Sequence, residues 1–367
     1  MQLTSNRLFS GTEAEVNLAS ELYGLVAKLP IISPHGHVDP RLLLENNPFG
    51  DPAELFIYFD HYVTRLLHAQ GENLGDLGKS KTGSQNPRKT WSILCSNWHL
   101  LAGTASGFWL TSTFEQLFGI TETPSAQNAA ELYDRIASHL LEPEFLPRAL
   151  FTRFNIEVLA TTDDPTDDLS VHRELAQDKS FTGKVIPTFR PDAYLDPRTA
   201  NWSANVERLL KSAGFSEVNY KNFIEALESR RAFFKQHGAV STDHGVYEPY
   251  TADLEVDAAD RIFKAALNGK ASVEDAREFA GHMLTQMARM SSQDGLVMTI
   301  HAGVLRNHHS DSFENFGPDT GHDIPVAVEF TNNMRALLNK YGTADNLTVI
   351  LFSLDESSWR SEEHTSE

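Results

Sequence analysis

The sequence predicts an α/β fold, and within that class a (β/α)8 barrel. Three observations carry the prediction. Short apolar runs of strand length alternate with longer segments of helical period, the pattern of a parallel sheet with crossover helices. Each run is followed at once by polar residues suited to chemistry. Six runs behave this way, and a barrel gathers such residues from the C-terminal ends of all its strands, whereas an open doubly wound sheet feeds its ligand from few.

Taken in order, Thr12-Glu13-Ala14-Glu15 has the spacing of a capping box, and Val16, Leu18, Leu22, Leu25 and Val26 continue it as a helical stripe. The apolar run at 30–32 reads as a short buried strand leading into Ser33-Pro34-His35-Gly36-His37-Val38-Asp39-Pro40. Side chains two apart on a strand share a face, so His35 and His37 project together and offer half of a metal site. Gly36 between them lets the backbone approach an ion closely. Two surface histidines in a Pro-rich turn would show the same spacing; the place just after an apolar strand favours the metal.

Asp51-Pro52-Ala53-Glu54 starts a second helix with Asp51 as cap, and the stripe Leu55, Phe59, Tyr62, Leu66 carries it to Gly71. That places His61 and Tyr62 at mid-helix, where packing is the simplest reading. Residues 72–87 form a loop. From about Thr90 to Arg153 the chain reads as several aromatic-rich helices with no strand among them, a helical insertion of about 48–153.

Ile156 to Ala160 is then a strand ending in Thr161-Thr162-Asp163-Asp164-Pro165, and Lys184 to Phe189 another, ending in Arg190-Pro191-Asp192. A helix over 220–236 closes at Gly238 before a strand over 239–242 that ends in Asp243-His244-Gly245. Ser272 and Asp275 cap a helix carrying Phe279, Met283 and Met287 on one face. The last two strands, Leu296 to Ile300 and Thr348 to Phe352, end in His301 and in Leu354-Asp355.

With 367 residues, 41% of them hydrophobic, the chain can bury a large core as one domain or two. Its formal charge of -19 repels polyanions and so argues against nucleic acid or an anionic membrane as partners. An anionic substrate therefore requires a local arginine cluster. The single cysteine, Cys95, allows no internal disulfide and suits a reducing compartment. No secretory leader pattern opens the chain, and no apolar run reaches the roughly 18 residues of a membrane span. The expectation is a soluble cytoplasmic protein acting on a small molecule, with self-association left open.

Taken together, Ser33-Pro34-His35-Gly36-His37-Val38-Asp39-Pro40, Asp60-His61-Tyr62, Phe154-Asn155-Ile156, Thr161-Thr162-Asp163-Asp164-Pro165, Arg190-Pro191-Asp192, Thr242-Asp243-His244-Gly245 and Ile300-His301-Ala302-Gly303 with Leu305-Arg306-Asn307 resemble the uronate isomerases (glucuronate isomerases) of the amidohydrolase superfamily. The resemblance runs from about residue 20 to 358. It implies a distorted (β/α)8 barrel of the metal-dependent hydrolase type and a part in hexuronate breakdown. The implied reaction is an aldose–ketose exchange, D-glucuronate to D-fructuronate and D-galacturonate to D-tagaturonate. The roles it implies are metal ligation by His35 and His37, with zinc as the ion, and proton shuttling or hydroxyl contact by His61 and Tyr62, against the mid-helix packing reading above. Asp243 becomes a second proton carrier, and His301 a contact to metal-bound water or a substrate hydroxyl, unless it is merely tied to the backbone. Arg190 and Arg306 are candidates for the substrate carboxylate, with Asp163 beside them; either arginine could instead pair with Asp163, Asp192 or Asp243. Thr162, Asp163 and Asp164 are expected to orient other side chains, and His308 and His309 to face solvent.

The family continues past Leu354-Asp355-Glu356-Ser357 with two further strands, one with a Trp-Trp pair and one with an Asp-x-Arg whose aspartate completes the metal site. Here Arg360-Ser361-Glu362-Glu363-His364-Thr365-Ser366-Glu367 resembles a translated sequencing adapter instead. The expectation is therefore a barrel incomplete at about six strands over 1–359, with a non-native tail at 360–367. Such a chain would have exposed sheet edges and weak metal retention, and would aggregate or be inactive. Two other readings remain: a metal-dependent hydrolase of the same superfamily, and a non-catalytic sugar-acid-binding remnant.

Overall fold

Eight strands are found among the described residues, which are 8–79 and 86–359 of this computed structural model. They are β1 (Ile31–Ser33), β2 (Ile156–Ala160), β3 (Lys184–Ile186), β4 (Ser241–Val246), β5 (Val297–Ala302), β6 (Val304–Leu305), β7 (Ile324–Pro325) and β8 (Val349–Phe352). One sheet has the order β1-β2-β3 and a second the order β4-β5-β8. β2 runs parallel to β3, and β5 runs parallel to both β4 and β8. Phe189 joins the two sheets by parallel bridges to Asp163 on one side and Thr242 on the other. The backbone there is fully engaged: Asp163 N–H donates to the Thr188 carbonyl at 3.0 Å, and Asp243 N–H to that of Phe189 at 3.0 Å. The six predicted strands are thus present, side by side in chain order, as the wall of an α/β barrel requires, but β1 is not the buried strand expected: Ile31 is 49% and Ile32 62% exposed. The tail expected at 360–367 lies outside the described residues.

The chain divides into two compact units. The first comprises Met1–Ile31, Glu45–Glu157 and Arg306–Asp323. Its core is aromatic: Trp91, Phe114 and Phe118 are buried, and Phe56 meets Phe114 edge to face at 5.4 Å. Trp91 Nε1–H donates to the Ala129 carbonyl at 2.9 Å, so the large ring is buried with its polar atom satisfied. The helix Glu13–Val26 starts with the expected capping box, Thr12 and Glu15 bonding reciprocally.

The continuous helix expected from Pro52 to Gly71 is not what forms. A π-helical segment, Glu54–Tyr58, ends at Phe59, and a new α-helix, His61–Ala69, begins after Asp60. The Asp60 carboxylate accepts from the backbone N–H of Tyr62 (2.8 Å) and of Val63 (3.0 Å), and so caps a fresh helix start. His61 and Tyr62 therefore occupy a first turn, not a mid-helix position.

The second unit comprises Ile32–Leu44, Val158–Leu305 and Ile324–Glu367. Phe189, Phe223, Phe234, Phe263, Phe279 and Met298 pack in its core, each with no exposed surface. Each such side chain stabilises by about 1.5–3 kcal/mol relative to exposure. Two buried arginines brace the frame. Arg231, on the helix Tyr220–Gln236, grips the Asp294 carboxylate with Nε at 2.7 Å and Nη2 at 3.0 Å. Its neighbour Arg230 donates to the carbonyls of Pro165 (2.6 Å) and Asp167 (2.7 Å), fixing the loop beyond β2.

β4 is longer than the sequence suggests. It stays paired with β5 from Ser241↔Val297 to Val246↔Ala302, so Asp243 and His244 lie within the strand and not beyond it. They consequently point to opposite faces. The antiparallel pair β6–β7 has no counterpart among the expected elements, since two-residue strands leave no periodic signal.

Candidate active site

Within the second unit, the turn after β1, the segment after β3, and strands β4 and β5 themselves bring His35, His37, Arg190, Asp243 and His301 to one place. The Nε2 atoms of His35 and His37 are 3.1 Å apart. Two imidazole nitrogens each about 2.0–2.1 Å from one tetrahedral zinc would lie about 3.3 Å apart, so the spacing is that of two ligands on a single ion. A Cβ on Gly36 would sit 3.0 Å from the Ala160 carbonyl oxygen, and its absence lets the His-Gly-His turn lie against the end of β2.

Asp243 is the buried centre of the group, with no exposed surface. His301 Nδ1 lies 2.8 Å from its Oδ1, and the Thr299 hydroxyl also donates to Oδ1 at 3.2 Å. Oδ2 receives no hydrogen bond. Arg190 Nη1 is 3.4 Å from it and His35 Nδ1 4.0 Å. Burial alone would raise this carboxyl, but the His301 hydrogen bond and charge, with Arg190 and His35 beside it, hold it down at about 2. Asp243 is a carboxylate at any working pH. Burial pushes the His35 imidazole down, which favours the neutral, ligating form.

Side-chain atoms of His35, Asp243 and His301 all lie within 4.8 Å of one another. Two converging imidazoles, a third histidine and a buried carboxylate oxygen with no donor make a set that fits a divalent cation. The His301 ring stands edge-on to His35 at 4.7 Å and is backed by Phe352 of β8 at 4.4 Å, so its orientation is fixed on both sides.

Arg190 makes one of the ion pairs that the sequence left open, with Asp192. Its Nε donates to Asp192 Oδ2 at 2.8 Å, while Asp192 Oδ1 accepts from Gly245 N–H at 2.9 Å. A Cβ on Gly245 would fall 2.7 Å from Asp192 Oδ2, so only glycine leaves room for this brace. Asp163 is 9% exposed, and its Oδ2 accepts from the Thr161 hydroxyl (2.6 Å) and Thr188 N–H (3.2 Å). Burial pushes its carboxyl up to about 6. Asp164 takes the Tyr194 hydroxyl at 2.7 Å, and Asp355 caps the turn after β8 through Ser357 N–H at 3.0 Å; both are structural. His244 is fully buried on the opposite face, its Nδ1 2.8 Å from the Thr299 carbonyl, where burial pushes it down to about 4.

Three expected site residues belong to the first unit. The His61 and Tyr62 rings lie 4.3 Å apart between centres, tilted by 37°, with the Arg65 guanidinium 5.2 Å from the Tyr62 ring. Arg306 pairs with Asp323 at 3.0 Å and is 57% exposed, a geometry that by itself describes a surface ion pair. His308 and His309 are exposed, as expected, and His309 stacks on His322 at 5.0 Å.

Known proteins resemble this chain over nearly its whole length. The glucuronate isomerase family model matches residues 8–363. A uronate isomerase of Cutibacterium acnes is 44% identical over 364 residues, which are 99% of this chain and 77% of that protein. One from Corynebacterium efficiens is 42% identical over 353 residues, 96% of this chain and 75% of its own length. The crystal structure of glucuronate isomerase from Caulobacter crescentus superposes with a TM-score of 0.95 at 40% identity, covering 98% of this chain and 76% of that one. Uronate isomerase from Thermotoga maritima gives 0.89 at 27% identity, over 97% and 76%. The ordered motifs, the parallel strand series and these likenesses lead to one conclusion: the chain belongs to the glucuronate isomerase family.

Proposed function

We propose that this chain isomerises hexuronates between aldose and ketose, D-glucuronate to D-fructuronate and D-galacturonate to D-tagaturonate, at the cluster around Asp243. The observation that carries the reading is a buried carboxylate, Asp243, flanked by His301 at 2.8 Å and Arg190 at 3.4 Å beside the paired imidazoles of His35 and His37. Isomerisation of an open-chain uronate moves one proton from C2 to C1 and one from the O2 hydroxyl to O1. It therefore needs a proton carrier that stays within reach of both carbons, and a cation for the distant carboxylate.

His35 and His37 would hold a divalent metal, zinc by their donor chemistry. When bound, the metal polarises the sugar oxygens on which charge develops. Asp243, ionised and hydrogen-bonded to His301, takes and returns the migrating proton, and His301 steadies its charge. Arg190, aimed by Asp192, pairs with the substrate carboxylate in a two-pronged fork. Arg306 is the second candidate for that pairing, and Asp163 supports the site through its threonine and backbone partners. The Asp60–His61–Tyr62 motif enters the proposal through the family resemblance alone, His61 and Tyr62 as hydroxyl or proton contacts.

The test is proton NMR of D-glucuronate incubated with the zinc-loaded chain in D2O. D-fructuronate should form with loss of the C2 proton signal and with solvent deuterium at C1. Hydrolysis of a lactone or amide by the same preparation, with no uronate conversion, would reject the isomerase in favour of a hydrolase.

A further inference from the structure

We infer that Thr162 is the positioning residue of the His-Gly-His turn: its hydroxyl fixes the tautomer of His37, so that Nε2 carries the lone pair offered to the cation. The inference rests on the metal-holding role proposed above for His37 and adds the residue that makes that role available.

The argument is one of hydrogen-bond polarity. Thr162 Oγ1 lies 3.1 Å from the Gly36 carbonyl oxygen and 2.8 Å from His37 Nδ1. A carbonyl oxygen can only accept, so the threonine proton is directed to Gly36. The threonine oxygen is then the acceptor toward His37, and the ring must carry its proton on Nδ1. The alternative places the threonine proton on the His37 bond. It leaves the lone pairs of Oγ1 and the Gly36 carbonyl facing each other at 3.1 Å, with the imidazole proton on Nε2, directed at His35 Nε2 3.1 Å away. That arrangement costs a backbone hydrogen bond and removes His37 from the donor set. The observed geometry favours the first.

The position of Thr162 follows from the fold. It lies two residues beyond Ala160, the last residue of β2, and Ala160 is the residue whose carbonyl abuts Gly36. One side chain thus staples the turn to the end of β2 and sets the ring's protonation pattern. Groups that orient metal-ligating histidines by their second nitrogen are worth roughly 10- to 100-fold in metal affinity. The same logic operates at His301, whose Nδ1 faces Asp243.

The experiment uses the full chain and compares Thr162→Val, which keeps the shape but loses the hydroxyl, with Thr162→Ser, which restores it. Zinc affinity is read by chelator competition, the His37 tautomer by long-range nitrogen–proton NMR of the metal-free chain, and folding by thermal melting. Thr162→Val is expected to bind zinc roughly 10- to 100-fold more weakly at an unchanged melting midpoint, and Thr162→Ser to return close to the parent. In the parent, His37 should carry its proton on Nδ1, and that preference should vanish in Thr162→Val. Zinc affinity unchanged in Thr162→Val, or an Nε2 proton on His37 in the parent, overturns the inference. His37→Asn separates it from the metal reading: should that variant bind zinc as well as the parent, His37 is no ligand and the metal reading fails there. The NMR tautomer then still decides, by itself, whether Thr162 sets the ring.

Discussion

His301 Nδ1 sits 2.8 Å from Asp243 Oδ1, and Asp243 itself has no exposed surface. An imidazole and a buried carboxylate at that distance share one proton economy, and the carboxylate is the member whose charge is fixed. Asp243→Asn keeps the shape and removes the charge. It is expected to lower kcat by about 10²- to 10⁴-fold while the chain stays folded. Held near 2, Asp243 cannot produce an acid limb in kcat/KM above about pH 4. Any limb found near neutrality in the parent should persist, at reduced height, in the variant. Wild-type turnover in Asp243→Asn would remove the carboxylate from the reaction.

Arg190 is aimed from behind by Asp192, through Nε at 2.8 Å. Lysine at this position would keep a positive charge but lose both the fork and the Asp192 brace. Arg190→Lys is expected to raise KM for D-glucuronate about tenfold to a hundredfold, the worth of one charge-assisted hydrogen bond, with a smaller effect on kcat. Initial-rate kinetics over a range of substrate concentrations check this. A KM unchanged in Arg190→Lys but raised in Arg306→Lys would move the carboxylate contact to Arg306.

The strand series and the His35–His37 pair were legible because they obey short-range rules: apolar runs have strand length, and residues two apart share a face. Asp243 and His301 were legible as polar residues at the ends of apolar runs. Their mutual geometry was not, because β4 and β5 continue paired past the apolar segment, to Val246 and Ala302, and only that pairing sets them side by side. The helix restart at Asp60 was readable in principle, since an aspartate directly before His61 is a capping residue. The longer apolar stripe across 55–66 masked it. Thr162 and Asp192 act through bonds to residues 125 and 53 positions away, His37 and Gly245, and no local pattern encodes such partners.

The paired imidazoles make metal loss measurable. Treatment with a chelator should abolish uronate conversion, and zinc should restore it. His35→Ala is expected to weaken zinc binding by more than about 100-fold, beyond the range of a supporting residue. Because a ligating imidazole must be neutral, retention should fall on acidification, and the burial that pushes His35 down moves that fall below the ordinary imidazole range. Full activity after exhaustive chelation, with no metal detected by elemental analysis, would count against a metal-dependent reaction.

Asp163 gives the fold its own pH signature. Burial raises its carboxyl from an ordinary value of 3.8 to about 6, against the opposing hydrogen bonds from Thr161 and Thr188. Between those two values the unfolded chain has released this proton while the folded chain still holds it. The contribution to stability is therefore complete below about pH 4 and lost as pH rises through 6, about 3 kcal/mol in all at 1.4 kcal/mol per unit. Asp163→Asn cannot titrate and can still accept from Thr161 and Thr188. Denaturant melts at pH 4.5 and pH 7 should show the parent losing stability relative to Asp163→Asn as pH rises, by about 2 kcal/mol, since part of the loss is already complete at pH 4.5. Parallel profiles for the two proteins would mean that Asp163 is already ionised in the folded chain at pH 4.5.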